Sequence, residues 1–274
     1  MNSRIDLLGV LQKDYSTAEP TSRPLFPGVR FYYLMVEQVI AASHKAKRGI
    51  FTHEDYYRHG LAVLRAVERV GGRIEISGVS QVPQFPGPYV YVANHMSVLE
   101  TIILSSMLYP IGEHTFIVKQ SLIDYPVFKH IMRAMDPIVV GRVNPREDLE
   151  VVLREGVKKL QDGISVVVFP QHTRTTEFIP EKFNTLGIKL AKRGGATVVP
   201  IALKTDFWGQ GKLIKDFGRI YPQKTVRFRF GSPISITGDG RQEHAAIVRF
   251  IGDALAEWEA LDQSANKARN RLSS

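Results

Sequence analysis

The chain contains no cysteine, which excludes a disulfide scaffold, a thiolate metal site and a cysteine nucleophile. No apolar run approaches the ~20 residues of a membrane span. The opening residues, Met1 to Tyr15, lack the apolar core of a secretion signal. These absences predict a cytoplasmic protein, free or held peripherally on the cytoplasmic face of a membrane. Repeats and low-complexity tracts are missing too. There is no G-x-S-x-G elbow, and Gly209-Gln210-Gly211-Lys212 lacks the leading glycine of a phosphate-binding loop. His44, His53, His59, His114, His130 and His244 show no metal-ligand spacing. No nucleic-acid-binding module is recognisable, so no nucleic-acid partner is expected.

What is present is a chain of 274 residues, 44% hydrophobic, with a net charge of +9. That length and composition support one large core, or one core with a small appendage. The positive balance favours an anionic partner, such as anionic lipid or a phosphorylated substrate. The basic residues are grouped. Lys45, Lys47 and Arg48 follow one helical pattern, and Arg58, Arg65 and Arg69 share one face of the next. Lys212, Lys215, Arg219, Lys224, Arg227 and Arg229 lie in a segment whose only local acid is Asp216. Each group reads either as a solvated surface or as a contact to anionic lipid.

Three regions follow from the pattern. Residues 1–25 read as a loosely ordered leader. Residues 26–70 read as two amphipathic helices. Tyr32, Met35, Val36, Val39 and Ile40 mark the first; Leu61, Val63, Leu64, Val67 and Val70 form the apolar face of the second. After Gly71-Gly72 the pattern alternates between strand and helix. Strands are predicted at 73–77, 89–93, 115–118, 137–140, 164–169, 197–203 and 226–230. Helices are predicted at 97–108, 125–134, 145–161, 181–193 and 242–261. The continuous apolar run Val166-Val167-Val168-Phe169 is that of a strand buried on both faces. The alternation predicts an α/β domain over 71–274, closed by a C-terminal helix. Its central sheet should be mostly parallel and flanked by helices, with reactive residues at the carboxyl ends of the strands.

His95 stands just after the run Tyr89-Val90-Tyr91-Val92, and Glu100 follows five positions later. In one continuous helix such residues diverge by about 140° and cannot meet. His95 must therefore precede the helix while Glu100 lies in its first turn and folds back. Ser97 and Glu100 also spell the S-x-x-E capping box, which turns the carboxylate toward the incoming chain. A plain helix cap and a general base with its orienting acid share this geometry. Lys119, Arg142 and Gln171 also stand just after predicted strands, so one shared site is expected.

Four blocks in order carry a resemblance: Asn94-His95-x-Ser97-x-x-Glu100; Lys119 with Gly141-Arg142; Phe169-Pro170-Gln171-His172-Thr173-Arg174; and Val199-Pro200-Ile201. Together they resemble the glycerolipid acyltransferases of the 1-acylglycerol-3-phosphate acyltransferase family, over about residues 30 to 232. The resemblance implies that fold. It also implies acyl transfer to a hydroxyl of a lysophospholipid from acyl-CoA or acyl carrier protein as co-substrate, with no cofactor or metal. His95 would be the base and Glu100 its orienter. Lys119, Arg142, Gln171, His172, Thr173 and Arg174 would bind substrate, with the two guanidinium groups gripping a phosphate. The chain departs from the family pattern in having Glu100 where aspartate is usual, and Gln171-His172 where glutamate-glycine is usual. A different class stays open at this point: a non-catalytic protein that binds lipid or acyl thioester on a membrane surface. Oligomeric state is not legible.

Overall fold

The computed structural model describes residues 14–18, 24–126, 128–171, 173–211 and 215–272. The strands are β1 Tyr15–Ser16, β2 Ile74–Ser77, β3 Tyr89–Ala93, β4 His114–Lys119, β5 Ile138–Val140, β6 Ser165–Val168, β7 Thr197–Lys204 and β8 Val226–Phe230. They form an eight-stranded sheet in the order β1-β2-β8-β7-β3-β6-β4-β5. Five neighbours, β7, β3, β6, β4 and β5, run parallel. Beyond them β8 is antiparallel to β7, β2 is parallel to β8, and β1 is antiparallel to β2. The α/β class with a mostly parallel sheet is thus as the sequence pattern predicts.

The helices are α1 Pro27–Lys47, α2 His53–Arg69, α3 Leu99–Leu108, α4 Gln120–Asp124, α5 Phe128–Ala134, α6 Pro145–Gln161, α7 Leu186–Gly194 and α8 Arg241–Leu272. Strand pleat divides them into two layers. Tyr89, Tyr91 and Ala93 of β3 share one core with Phe31 of α1, Val63 and Val67 of α2, and Leu99 and Ile103 of α3. Val90 and Val92 share the other with Val152 of α6, Ile188 and Leu190 of α7, and Ile247 and Ile251 of α8. All five residues of β3 are buried, the signature of a strand covered on both faces. The predicted two-helix region therefore packs into the same core as the sheet.

Helix α3 is buried almost all round, held between α2 and the sheet. Its serines stay tolerable there because Ser105 and Ser106 donate to the carbonyls of Ile102 and Ile103 at 2.8 and 2.6 Å. Gly60 on α2 permits the close crossing, since a Cβ there would lie 2.7 Å from the Ile102 carbonyl oxygen.

Several local expectations are corrected. Within the stretch read as a leader, Tyr15 and Ser16 pair with Ile76 and Glu75 to extend the sheet. Tyr15 and Thr17 also donate to Glu68. The helix expected over 125–134 is the shorter α5, Phe128–Ala134, and an unexpected short helix, α4, precedes it at Gln120–Asp124. The helix expected to end near 261 continues to Leu272. Of the residues that mark α1 in the sequence, Met35 is buried with Phe31 and Ala42, while Val36 and Ile40 are exposed. Half of the basic segment 212–229 is neutralised by acids distant in sequence. Arg227 pairs with Glu75 and Asp262, Arg229 with Glu257, and Lys224 with Asp206.

Candidate active site

The carboxyl ends of the parallel strands lie on one edge of the sheet. Following the strand order, that edge presents Thr205 after β7, His95 after β3, Gln171, Thr173 and Arg174 after β6, Lys119 ending β4, and Arg142 after β5. Residues far apart in sequence thus form one row, with His95 between the loops that follow β7 and β6.

Asn94 ends β3 by a side-chain substitution for strand pairing. Its amide donates to the Leu203 carbonyl at 2.8 Å, and its Oδ1 accepts from the Leu203 N–H at 2.9 Å. The chain then turns at His95 and enters α3. His95 Nδ1 lies 2.9 Å from Glu100 Oε1, so the histidine precedes the helix and the acid folds back from its first turn. Glu100 is fully buried, which for a carboxylate demands donors. It has them: the N–H groups of Met96 and Ser97 at 2.7 and 2.8 Å, and the hydroxyls of Ser97 and Thr205 at 2.8 and 2.6 Å. Burial pushes its pKa up, but the bonds from His95 and Thr205 and the charge of His95 outweigh it and hold the carboxyl below its ordinary value. Ser97 Oγ in turn accepts from the Leu99 N–H at 3.1 Å. The expected capping box is half formed, since Glu100 reaches back to the Ser97 N–H while Val98 is the N-cap and no side-chain bond closes it.

The imidazole is stacked on Phe169, with ring centroids 4.4 Å apart and planes 20° apart. Its side chain is 18% exposed. With Nδ1 held by Glu100 and one ring face covered, Nε2 is the nitrogen left for a substrate. The backbone of His95 is fixed by the loop after β6. Its N–H donates to Gln171 Oε1 at 2.7 Å, and its carbonyl accepts from the Thr175 N–H at 3.0 Å.

Gln171 is buried, 6% exposed, and its NH2 group donates to Thr175 Oγ1 at 2.8 Å. Both ends of the amide are used inside the protein, so its geometry is that of a clamp on His95. Thr173 is exposed beside it. His172 lies outside the described residues. Arg174 pairs with Asp216 at 2.5 Å, and its carbonyl accepts from Gln210 at 3.0 Å. The loop after β7 is thereby laid across this end of the site.

Lys119, Arg142, Arg174 and Lys215 form a cationic cluster beside this pair. Burial, then the charges of Arg142, Arg174 and Lys215, push the Lys119 ammonium below its ordinary pKa, with Asp216 opposing. Arg142 is shifted down by burial, against Asp148. Its backbone is left-handed, with φ of +56°, and is secured there by Asp148. That carboxylate, in the first turn of α6, accepts from the N–H groups of Gly141 and Arg142 at 3.0 Å each. Cations crowded this closely repel one another, and an incoming anion relieves that cost.

Two participants have no local sequence signal. Thr205 contacts Glu100 from another strand, and Asp216 holds Arg174 from a loop. Only the three-dimensional order of the strands brings them in.

Known proteins similar to this chain are acyltransferases. Residues 73–204 match the family model described as Acyltransferase. The chain is 26% identical over 218 residues to the 1-acyl-sn-glycerol-3-phosphate acyltransferase of Pseudomonas aeruginosa, covering 78% of this chain and 80% of that protein. It is 30% identical over 223 residues to a chloroplastic 1-acyl-sn-glycerol-3-phosphate acyltransferase of Arabidopsis thaliana, covering 77% of this chain and 60% of that one. In fold it is similar to the crystal structure of the 1-acyl-sn-glycerophosphate acyltransferase of Thermotoga maritima. The TM-score is 0.62 at 19% identity, over 86% of this chain and 96% of that one. Motif order, sheet topology and these likenesses converge on residues 73–204 as an Acyltransferase domain, in an O-acyl-transferring enzyme.

Proposed function

We propose that this enzyme moves a fatty acyl group from the thioester of acyl-CoA or acyl carrier protein to the free hydroxyl of a lysophospholipid, with 1-acylglycerol-3-phosphate as the acceptor. The single observation that carries the mechanism is the His95 Nδ1 to Glu100 Oε1 contact of 2.9 Å. It fixes the tautomer that leaves Nε2 free to accept a proton. In this reading Nε2 takes the hydroxyl proton as the alcohol oxygen attacks the thioester carbonyl. The carbon–sulfur bond then breaks, and the proton passes from His95 to the departing thiolate. The nucleophile comes from the substrate, which suits a chain without cysteine. The reaction needs no cofactor beyond the thioester co-substrate.

Lys119, Arg142 and Arg174 are the cations we assign to the acceptor phosphate, because guanidinium groups grip phosphate through paired hydrogen bonds. Thr173 is placed to add a hydroxyl contact, and Gln171 acts by clamping His95. The Pseudomonas and Arabidopsis relatives, whose names specify 1-acyl-sn-glycerol-3-phosphate, support that choice of acceptor.

We further place the enzyme peripherally on the cytoplasmic face of a membrane, where soluble acyl donors meet the lipid. Among the described residues no helix is long and apolar enough to cross a membrane. Phe26, Val29, Tyr33, Val36 and Ile40 follow helical spacing and are exposed, three of them by 70% or more. Such a stripe is costly in water and suited to a lipid interface.

The test offers purified protein 1-acylglycerol-3-phosphate, other lysophospholipids and glycerol-3-phosphate against acyl-CoA and acyl carrier protein donors, with products identified by mass. Diacyl phosphate product from 1-acylglycerol-3-phosphate is expected, and its loss in His95→Ala. Turnover only with another acceptor would overturn the substrate assignment.

A further inference from the structure

We propose that Thr205 is a positioning residue for the reaction, the second anchor of the acid that orients His95; the inference rests on the function proposed above. Every other hydrogen-bond donor to Glu100 among the described residues comes from the short turn 95–97. A carboxylate held from one side only can swing with its own turn. Thr205 approaches from β7, on the opposite side of β3 from the loop carrying Gln171, and donates to Oε2 at 2.6 Å. Oε2 is thereby fixed, and Oε1 keeps its aim on the imidazole.

The arm that carries this hydroxyl is itself rigid. Leu203 is pinned by both hydrogen bonds of Asn94. Lys204, buried on the other face of the sheet, is held by Glu259 and Asp262 of α8. The Thr205 N–H lies 3.3 Å from Met96 Sδ, and the residue is fully buried. Ser97 also reaches Oε2, through its N–H at 3.0 Å and its hydroxyl at 2.8 Å, but from the turn that carries Glu100. Thr205 is the donor that ties Oε2 to another strand.

The charged surroundings make the role readable by pH. The titratable group facing Glu100 is His95. From the helix packed across α3, Tyr56 spends its hydroxyl on the Thr101 carbonyl at 3.0 Å. Lys204 is turned away toward Glu259 and Asp262. Removing the Thr205 hydroxyl therefore leaves burial less opposed, and Glu100 takes a proton at higher pH.

The experiment compares Thr205→Val, which keeps shape, Thr205→Ala and Thr205→Ser, which keeps the hydroxyl, using kcat, KM and the pH profile of kcat/KM. The valine and alanine variants are expected to lose about ten- to a hundred-fold in kcat with little change in KM. Their acid limbs move to higher pH, while the serine variant stays near the parent. If valine fails to fold, alanine against serine gives the same reading. Parental kcat and profile in the valine variant, equal damage in serine and valine, or a loss carried by KM alone would overturn the proposal. His95→Ala is the control. If it is inactive while valine is unchanged, only this inference fails; if it is active, the base assignment falls as well.

Discussion

Asn94 and Leu203 exchange two hydrogen bonds, side chain to backbone in both directions, at 2.8 and 2.9 Å. The last backbone pairing of β3 with β7 is Ala93 to Ile201, so the Asn94 amide adds one more rung while the chain is already turning toward His95. Asn94→Ala leaves a buried N–H and carbonyl of Leu203 unpaired. A loss of about 3 kcal/mol is expected, measured by denaturant unfolding, with reduced turnover in the folded fraction.

His95→Ala removes the base without disturbing the bonds that Met96, Ser97 and Thr205 make to Glu100. A fall in kcat of about 100-fold or more is expected, with lipid binding retained. Parental turnover in this variant would exclude His95 as the base.

The cationic cluster predicts a different kinetic pattern. Arg142→Ala and Arg174→Ala should raise KM for the lysophospholipid by about tenfold each, with a smaller effect on kcat. The KM for the thioester should stay near the parent value. Arg174→Ala also releases Asp216, so a double change with Asp216→Ala separates loss of the cation from the stranded acid.

Membrane attachment is tested on two faces. Replacing Val29, Tyr33 and Ile40 by serine removes the outward stripe of α1 and should weaken binding to neutral and anionic vesicles alike. Neutralising Arg58, Arg65 and Arg69 on α2 should weaken binding to anionic vesicles only, in a salt-sensitive way. Arg58 already pairs with Glu54 at 2.5 Å, so the first set is expected to dominate. Unchanged sedimentation with vesicles after the serine substitutions would exclude α1 as the docking face.

His114 sets an acid limit to stability. It is buried at the start of β4, with Nε2 lacking a hydrogen-bond partner among the described residues. Burial pushes its pKa down to about 4. The unfolded chain binds this proton near pH 6.5 and the folded chain resists it. Its contribution is therefore full above about pH 6.5 and is lost as pH falls toward 4, by up to about 3 kcal/mol. His114→Phe should flatten the stability curve over that window, measured by denaturant midpoints at a series of pH values.

The parallel core was legible because Val90, Val92 and Val166 to Val168 form apolar runs with no polar face, which fit only a strand covered on both sides. The His95–Glu100 contact was legible because a five-residue spacing at a helix start leaves one compact geometry. Helix ends were less so: no helix was read before Tyr125, yet α4 fills Gln120–Asp124, a segment too short to show a helical period. Thr205 and Asp216 carried no local signal, since their partners are set by strand order. Gln171 was read with the substrate groups because it stands in the block Phe169 to Arg174 that carries the family resemblance, just after a predicted strand. Its burial against His95 could be seen only once the loop after β6 was placed.

Lys204 and Thr205 are separated by one peptide bond, yet the pleat sends them to opposite layers. One is gripped by the final helix; the other touches the acid beneath the imidazole. The tip of β7 therefore works as a brace that spans the molecule's thickness. Shortening the chain before Glu259 would remove both carboxylate partners of Lys204 together, at a distance from any reacting atom. Turnover should then suffer well before the sheet itself comes apart.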